Sequence, residues 1–258
     1  MKLSANLGLL WSELPLLDRV YKAKEKNFDA IEFQFPYEVD ANKLKKAIDK
    51  INLPIIGINT IKGDVSKGDN GLNAIPSKVQ EARVAIDQAI EYAKVIGSKN
   101  IHFMCGITEQ NHNSLKTLVE NLQYAVSQLN DTNIGLVIEP KNQKDFPGYF
   151  LTNVEQAKEI CQLVGNNNVK IMFDFYHVQI SQGNVLTRFK DNFNFIGHVQ
   201  MASVPERNEP IFGELNYSNI LSEIYKFGYQ GYVGAEYNPL TNTDEGLSWM
   251  KEINREDK

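Results

Sequence analysis

Four oxygen-bearing side chains each end an apolar run in the second half of the chain: Glu139 after IGLVI, Asp174 after VKIMF, Gln200 after FIGHV and Glu236 after GYVGA. Successive positions are 35, 26 and 36 residues apart. Three carboxylates and a neutral amide suit a hard divalent cation, Mg²⁺ or Mn²⁺, better than a thiophilic metal. Brought together without a cation, three anions would repel and resist ionisation. A single acid at a strand end is more often a helix N-cap or a solvated loop residue. Here a polar group follows a buried run four times in succession. Each burial is costly unless compensated, and one shared ion compensates all of them.

Other residues fall near this set. His177 follows Asp174 in DFYHVQ, at the start of the next loop, and Arg207 follows Gln200 in ASVPERNEP. Most loop arginines are surface charges, but a permanently charged planar fork beside an anionic site suits a substrate carboxylate or hydroxyl. His198 alternates with Gln200 and shares its inward face, in a core, supporting or catalytic role. His102 reads as a core or wall residue and His112 as a solvent-facing one. Glu214 and Tyr217 are placed to brace the Arg207 loop. Trp11 and Tyr37 either line an apolar wall or simply pack.

The elements that must position these groups alternate along the whole chain. Short runs rich in Ile, Val and Phe (KLSAN, AIEFQF, PIIGIN, NIHFM, and the four runs above) alternate with stretches of helical period. In LLDRVYKAKEK, opened by Pro15, the apolar Leu16, Leu17, Val20 and Ala23 share one face. SKVQEARVAIDQAIEYAKVIG is strongly amphipathic, with Ser77 as the expected N-cap and Gly97 as the stop. The unit after Asp174 is expected around VLTRFKDN, and a single last helix over TDEGLSWMKEI. Eight β–α units imply a parallel sheet covered by helices. The count favours a closed (β/α)₈ TIM barrel over an open sheet, as one domain over 1–258. In such a barrel the C-terminal ends of all strands open onto one face, where active sites sit. No G-x-G-x-x-G follows the first strand, which argues against a dinucleotide fold.

Composition narrows the partners. The 258 residues carry a net charge of −5, so no broad basic field is available to a nucleic-acid backbone. No apolar stretch is long enough to span a bilayer. Two cysteines, Cys105 and Cys161, make neither a disulfide framework nor a cysteine metal site, and the N-terminus lacks a cationic leader. The expected setting is cytoplasmic, with no nucleic acid and no membrane as partner. The oligomeric state, monomer or homo-oligomer, is open.

At these residues the chain resembles the hydroxypyruvate isomerase group of the xylose isomerase-like barrel superfamily. The resemblance runs nearly end to end, through SANL, IEFQFPYE, GD followed by GLNAIP, LVENLQYA, IEPKN, FPGYFLT, FDFYHVQ, IGHVQMA, RNEP with GELNY, and AEYNP. It implies one divalent metal ion held by Glu139, Asp174, Gln200 and Glu236. It also implies that Glu139 and Glu236 double as the acid–base pair, and that His177 and Arg207 contact a small hydroxy-carbonyl or sugar-acid substrate. The similar ketose 3-epimerases place a His where Gln200 stands. The chain departs from the group in four loops on the expected active face. Ile58-Asn59 stands for HN, Val65 for a Trp after GD, Lys141 for the Ile of EPIN, and Ile211-Phe212 for the centre of EPGTGE.

The reaction implied is aldose–ketose type isomerisation, of which hydroxypyruvate to tartronate semialdehyde is the leading case. One glutamate removes the proton beside the carbonyl, an enediolate forms, and a proton returns to the neighbouring carbon. Rival readings are a 2-oxo-tetronate isomerase, a ketose 3-epimerase, an inosose dehydratase, and a non-catalytic sugar-binding barrel. A metal-dependent nuclease on this fold would need more His ligands than four histidines supply.

Overall fold

The computed structural model describes residues 1–253. Eight parallel strands alternate with helices, as the pattern demands. The strands are β1 (Lys2–Asn6), β2 (Ala30–Glu32), β3 (Ile58–Asn59), β4 (Asn100–His102), β5 (Gly135–Ile138), β6 (Val169–Asp174), β7 (Ile196–Met201) and β8 (Tyr232–Ala235). Their order is β2-β1-β8-β7-β6-β5-β4-β3. Main-chain hydrogen bonds join the two ends of this order and close the barrel: Ile31 N to Pro54 O (3.0 Å), Ile56 N to Ile31 O (2.8 Å), Phe33 N to Gly57 O (2.9 Å) and Asn59 N to Gln34 O (2.9 Å).

The outer ring contains α1 (Leu16–Glu25), α2 (Ala41–Ile51), α3 (Val79–Ile96), α4 (His112–Gln128), α5 (Val154–Val164), α6 (Phe175–Ser181), α7 (Val185–Asp191), α8 (Tyr217–Phe227), α9 (Thr243–Gly246) and α10 (Trp249–Glu252). Each long helix buries one stripe against the strands. In α3 that stripe is Ala82, Ala85, Ile86, Ala89, Ile90, Ala93 and Ile96, and Gly97 ends the helix in the left-handed region. Asp40, Asn111, Asn153 and Asn216 cap α2, α4, α5 and α8 by accepting a backbone N–H of the first turn. On α1, Val20 and Ala23 are buried, and Leu16 and Leu17 pack half-buried on the same core.

Local expectations fail at four places. Ser77 caps nothing, because Pro76 opens a one-turn 3₁₀ segment, Pro76–Lys78, and α3 starts only at Val79. The unit after β6 holds two helices, since FYHVQIS forms α6 ahead of the expected VLTRFKD. The last helix is broken into α9 and α10. His177 therefore lies on a helix and not in a loop.

Candidate active site

Strand pleat decides what faces the barrel axis. Register pairs Asp174 with Gln200 and Gln200 with Gly234, so neighbouring strands present these residues at one level. Glu139 and Glu236 each stand one residue beyond their strands. All four expected ligands are buried, with exposures between 1% and 7%. A cavity of about 200 Å³ opens beside three of them, Glu139, Gln200 and Glu236, and is lined as well by Glu32, Lys141 and Arg207 together with Lys62, His102 and Phe146.

The contacts divide the site into two sides. On one, Glu139 meets Lys141 Nζ at 3.2 Å, His102 Nε2 at 3.7 Å and His177 Nε2 at 3.7 Å. One ligand atom each from Glu139, Asp174 and His177 lies within 4.8 Å of the others. On the other side, Arg207 Nη2 spans Asp174 Oδ2 (3.7 Å) and Glu236 Oε1 (3.6 Å), and Gln34 Nε2 donates to Glu236 Oε1 (2.8 Å). Arg207 adopts φ +57°, and its guanidinium stacks 5.0 Å from the Tyr176 ring. Asp174 is also the N-cap of α6, since its Oδ1 accepts the Tyr176 N–H at 2.9 Å. Its second oxygen stays free of that duty, so the cap explains only half of this carboxylate.

Burial and neighbours set the charges. Burial resists ionisation of Glu139, but the charges of Lys141 and then Arg207 outweigh it and hold the group below the ordinary carboxylate range. Burial raises Glu236 to about 7, with Arg207 opposing and Glu139 and Glu32 reinforcing. Asp174 is driven well upward by burial, against Arg207 and with Glu139 and Glu236. Burial likewise pushes His102 and His177 well below the usual histidine range, so both are neutral.

A fourth carboxylate, Glu32, was not singled out by the sequence reading. Its Oε2 accepts from Gln200 Nε2 (2.9 Å) and pairs with His198 Nε2 (3.0 Å). This fixes the amide of Gln200 with its nitrogen turned away from Oε1. Room for Glu32 comes from Gly234, where a Cβ would stand 2.1 Å from Glu32 Oε1. The strand-end rule applied to β2 would have found Glu32. His198 thus supports Gln200, and His102 is a cavity wall. The Tyr217 hydroxyl donates to Ala202 O (2.7 Å) and braces the end of β7, and the Glu214 N–H donates to Val204 O (2.9 Å) across the Arg207 loop while its side chain accepts from Gln179 (3.3 Å) near the surface. Trp11 and Tyr37 pack: Trp11 lies edge-on to Phe28, and Tyr37 lies edge-on to Tyr92 with its hydroxyl on Asn59 O. His112 is exposed in the first turn of α4.

Several buried polar atoms have no hydrogen-bond partner: Glu139 Oε1, Asp174 Oδ2, Gln200 Oε1, His177 Nε2 and Glu32 Oε1. Buried polar atoms left without a hydrogen bond are costly and rare, unless a ligand completes them. Three of these atoms belong to the expected metal set. That chemistry, carboxylate and amide oxygen with one adjacent imidazole, fits a divalent cation.

A family model described as xylose isomerase-like TIM barrel matches residues 20–253. The chain is 40% identical over 256 residues to the hydroxypyruvate isomerase of Escherichia coli (strain K12), covering 97% of this chain and 98% of that protein. It is 39% identical over 253 residues to a 2-oxo-tetronate isomerase of Cupriavidus necator, covering 97% of each. A solved structure described as an AP endonuclease, family 2, from Brucella melitensis superposes with a TM-score of 0.94 at 36% identity, covering 97% of this chain and 98% of that one.

Proposed function

The chain belongs to the xylose isomerase-like TIM barrel family and is an isomerase, and on that premise we propose a metal-dependent carbonyl shift in a small hydroxy-carbonyl acid, hydroxypyruvate to tartronate semialdehyde first among candidates. The observation that carries the metal reading is the set of three buried acceptors without a hydrogen bond among the described residues, Glu139 Oε1, Asp174 Oδ2 and Gln200 Oε1, of which Glu139 and Gln200 line one cavity with Glu236. Glu139, Asp174, Gln200 and Glu236 would hold one divalent ion, Mg²⁺ or Mn²⁺. When bound, that ion supplies positive charge for the oxygens on the two reacting carbons.

The chain's own residues account for the proton traffic. Glu139 and Glu236 come from strands three units apart and reach the cavity from different directions. A planar hydroxy-carbonyl held between them offers one face to each carboxylate. One glutamate removes the proton from the hydroxyl-bearing carbon, and a proton is returned to the former carbonyl carbon. The hydroxyl proton passes to the former carbonyl oxygen, so no oxidant or reductant is consumed. Neutral His177, 3.7 Å from Glu139 and 3.8 Å from Asp174, is placed to hydrogen-bond a substrate oxygen. Its Nδ1 sits 2.7 Å from the Asn142 side-chain nitrogen, which fixes the ring. Arg207 keeps Asp174 and Glu236 apart and orients the substrate's polar groups. A cavity of this size lined by carboxylates suits a small acid and not a nucleic-acid strand.

One panel tests the reading: hydroxypyruvate, a 2-oxo-tetronate and several ketoses, each with Mg²⁺, Mn²⁺ and chelator. Carbonyl shift on the three-carbon or four-carbon acid, dependent on added ion, is the expected result. Turnover that survives exhaustive chelation would end the metal reading, and epimerisation of ketoses alone would move the substrate assignment.

A further inference from the structure

Two lysines line the cavity with the proposed ligands: Lys62, in the loop after β3, and Lys141, two residues beyond Glu139. Neither is an ordinary solvated lysine. Lys141 is 7% exposed, and its ammonium lies 4.6 Å from the Phe146 ring centre and 5.4 Å from that of Tyr149. Lys62 is half-buried, with its ammonium 5.0 Å from the Phe35 ring centre. Aromatic faces hold the two cations in place without using their N–H donors, of which Lys141 turns one toward Glu139. Glu139 is the carboxylate within ion-pair distance of Lys141, and among the described residues none lies within that distance of Lys62. Burial, and then the charge of Lys141, lowers the Lys62 pKa.

A half-buried ammonium with no carboxylate at ion-pair distance among the described residues, and a buried one that shares a single carboxylate, leave room for a further anion at the cavity wall. That arrangement costs stability unless an anion completes it. Arg207, on the loop after β7, cannot be the completing partner's first choice, because Asp174 and Glu236 already oppose its charge. The strands β3 and β7 stand opposite each other in a ring of eight, so the loop that carries Lys62 faces the loop that carries Arg207.

We propose that Lys62 and Lys141 form the anion subsite that recognises the acid end of the substrate, a carboxylate or a phosphate, and orients the rest toward Glu139 and Glu236. The orientation rests on the isomerase reading above, whereas the subsite itself does not. Two separate ammonium groups act as point charges and impose no fork geometry, so either kind of oxyanion is accepted.

The test uses the full-length protein loaded with Mg²⁺ and three compounds that cannot isomerise: glycerol, D-glycerate and glycerol 3-phosphate. Their Kd values are measured by calorimetry. At least one charged compound should bind tenfold or more tighter than glycerol. Lys62→Met, which keeps length and removes charge at a half-buried position, should cut that advantage at least fivefold and leave glycerol unchanged. Lys141→Met provides the second reading, and circular dichroism checks that each variant is folded. Which charged compound loses more identifies the group. Equal binding of all three compounds, or a charge advantage that survives both substitutions, overturns the subsite. Turnover of hydroxypyruvate in the same preparation keeps the two ideas separate. A lysine-dependent preference without turnover sinks the hydroxypyruvate assignment, and turnover without the preference sinks the subsite.

Discussion

Glu139 and Glu236 are the same residue type, each one position past a barrel strand, and their surroundings push them in opposite directions. Glu139 has a lysine 3.2 Å away and two neutral histidines at 3.7 Å, and it sits below the ordinary carboxylate range despite burial. Glu236 is served by an amide at 2.8 Å and by an arginine at 3.6 Å shared with Asp174, and burial raises it to about 7. The difference is a matter of how many cations each carboxylate commands. Lys141 faces Glu139 without a second acid at ion-pair distance, whereas Arg207 divides its charge. A pair of carboxylates whose environments separate them is the arrangement by which one site holds both a base and an acid near neutral pH.

The largest expected effect is on turnover. Glu139→Gln and Glu236→Gln each keep an oxygen and nearly the same shape while removing the proton-transfer group. Each should lower turnover by roughly 10²-fold or more, the scale of a lost general base or acid. Metal content should fall little. Measuring metal and solvent-deuterium exchange of the carbon-bound hydrogen in one preparation decides the matter. Near-normal exchange in both variants would end the two-glutamate scheme and turn attention to His177.

The next effect concerns the metal-free protein and pH. Glu236 has a folded pKa of about 7 against an ordinary 4.5, so the folded state binds its proton more tightly. Its favourable contribution is full below about pH 4.5 and is lost as pH rises through 7. Asp174 is shifted in the same direction. Glu139 is shifted the other way, and its contribution is lost only as pH falls below the ordinary carboxylate range. Metal-stripped protein should therefore gain stability as pH falls from 7.5 toward 5, by at most about 3 kcal/mol from Glu236. Glu236→Gln should flatten the melting-temperature profile over this window and Glu139→Gln should not. A flat wild-type profile would remove the asymmetry on which the comparison stands.

Arg207 sharpens the same contrast from the other side. Its Nη2 bridges Asp174 and Glu236, whereas the carboxylate at ion-pair distance from Lys141 is Glu139. Arg207→Lys keeps a charge and loses the planar fork, so kcat/KM should fall about tenfold, with Arg207→Ala falling further. Unchanged kinetics in both would take Arg207 out of the site.

The barrel was legible in the sequence because strand and helix periods alternate without interruption, and the strand-end acids were legible because each charge follows a run that must be buried. What failed has identifiable physics. FYHVQIS forms α6 although its Phe175, Tyr176, His177 and Val178 are all buried, which leaves no amphipathic period to detect. Ser77 looked like a cap, but Pro76 before it set a 3₁₀ turn. The Glu32–His198–Gln200 cluster joins residues 166 and 168 positions apart, and no local pattern encodes such a contact. Lys141 was visible as a departure from its group, yet its contact with Glu139 depends on how the loop after β5 folds back under Phe146 and Tyr149.

The smallest effect tests whether the environment of Glu236 is built locally. Gln34 lies just past β2 and donates to Glu236 Oε1 at 2.8 Å, on the side away from Lys141. A hydrogen bond to a charged group contributes about 1.5–3 kcal/mol, favouring the ionised form. Gln34→Ala removes that donor and leaves Arg207 as the closest cation to Glu236. The Glu236 pKa should then rise further, and the pH window over which metal-free protein is destabilised should move upward. Glu139 lies across the cavity with its own lysine and should shift much less than Glu236. Turnover should drop only a few-fold, since Glu236 keeps its carboxylate and its place. Carboxylate titration of the metal-free Gln34→Ala protein, followed by isotope-edited infrared spectroscopy with labelled glutamate, reads both groups at once. If both shift together, the two glutamates titrate as one unit and the two-sided description of the site fails.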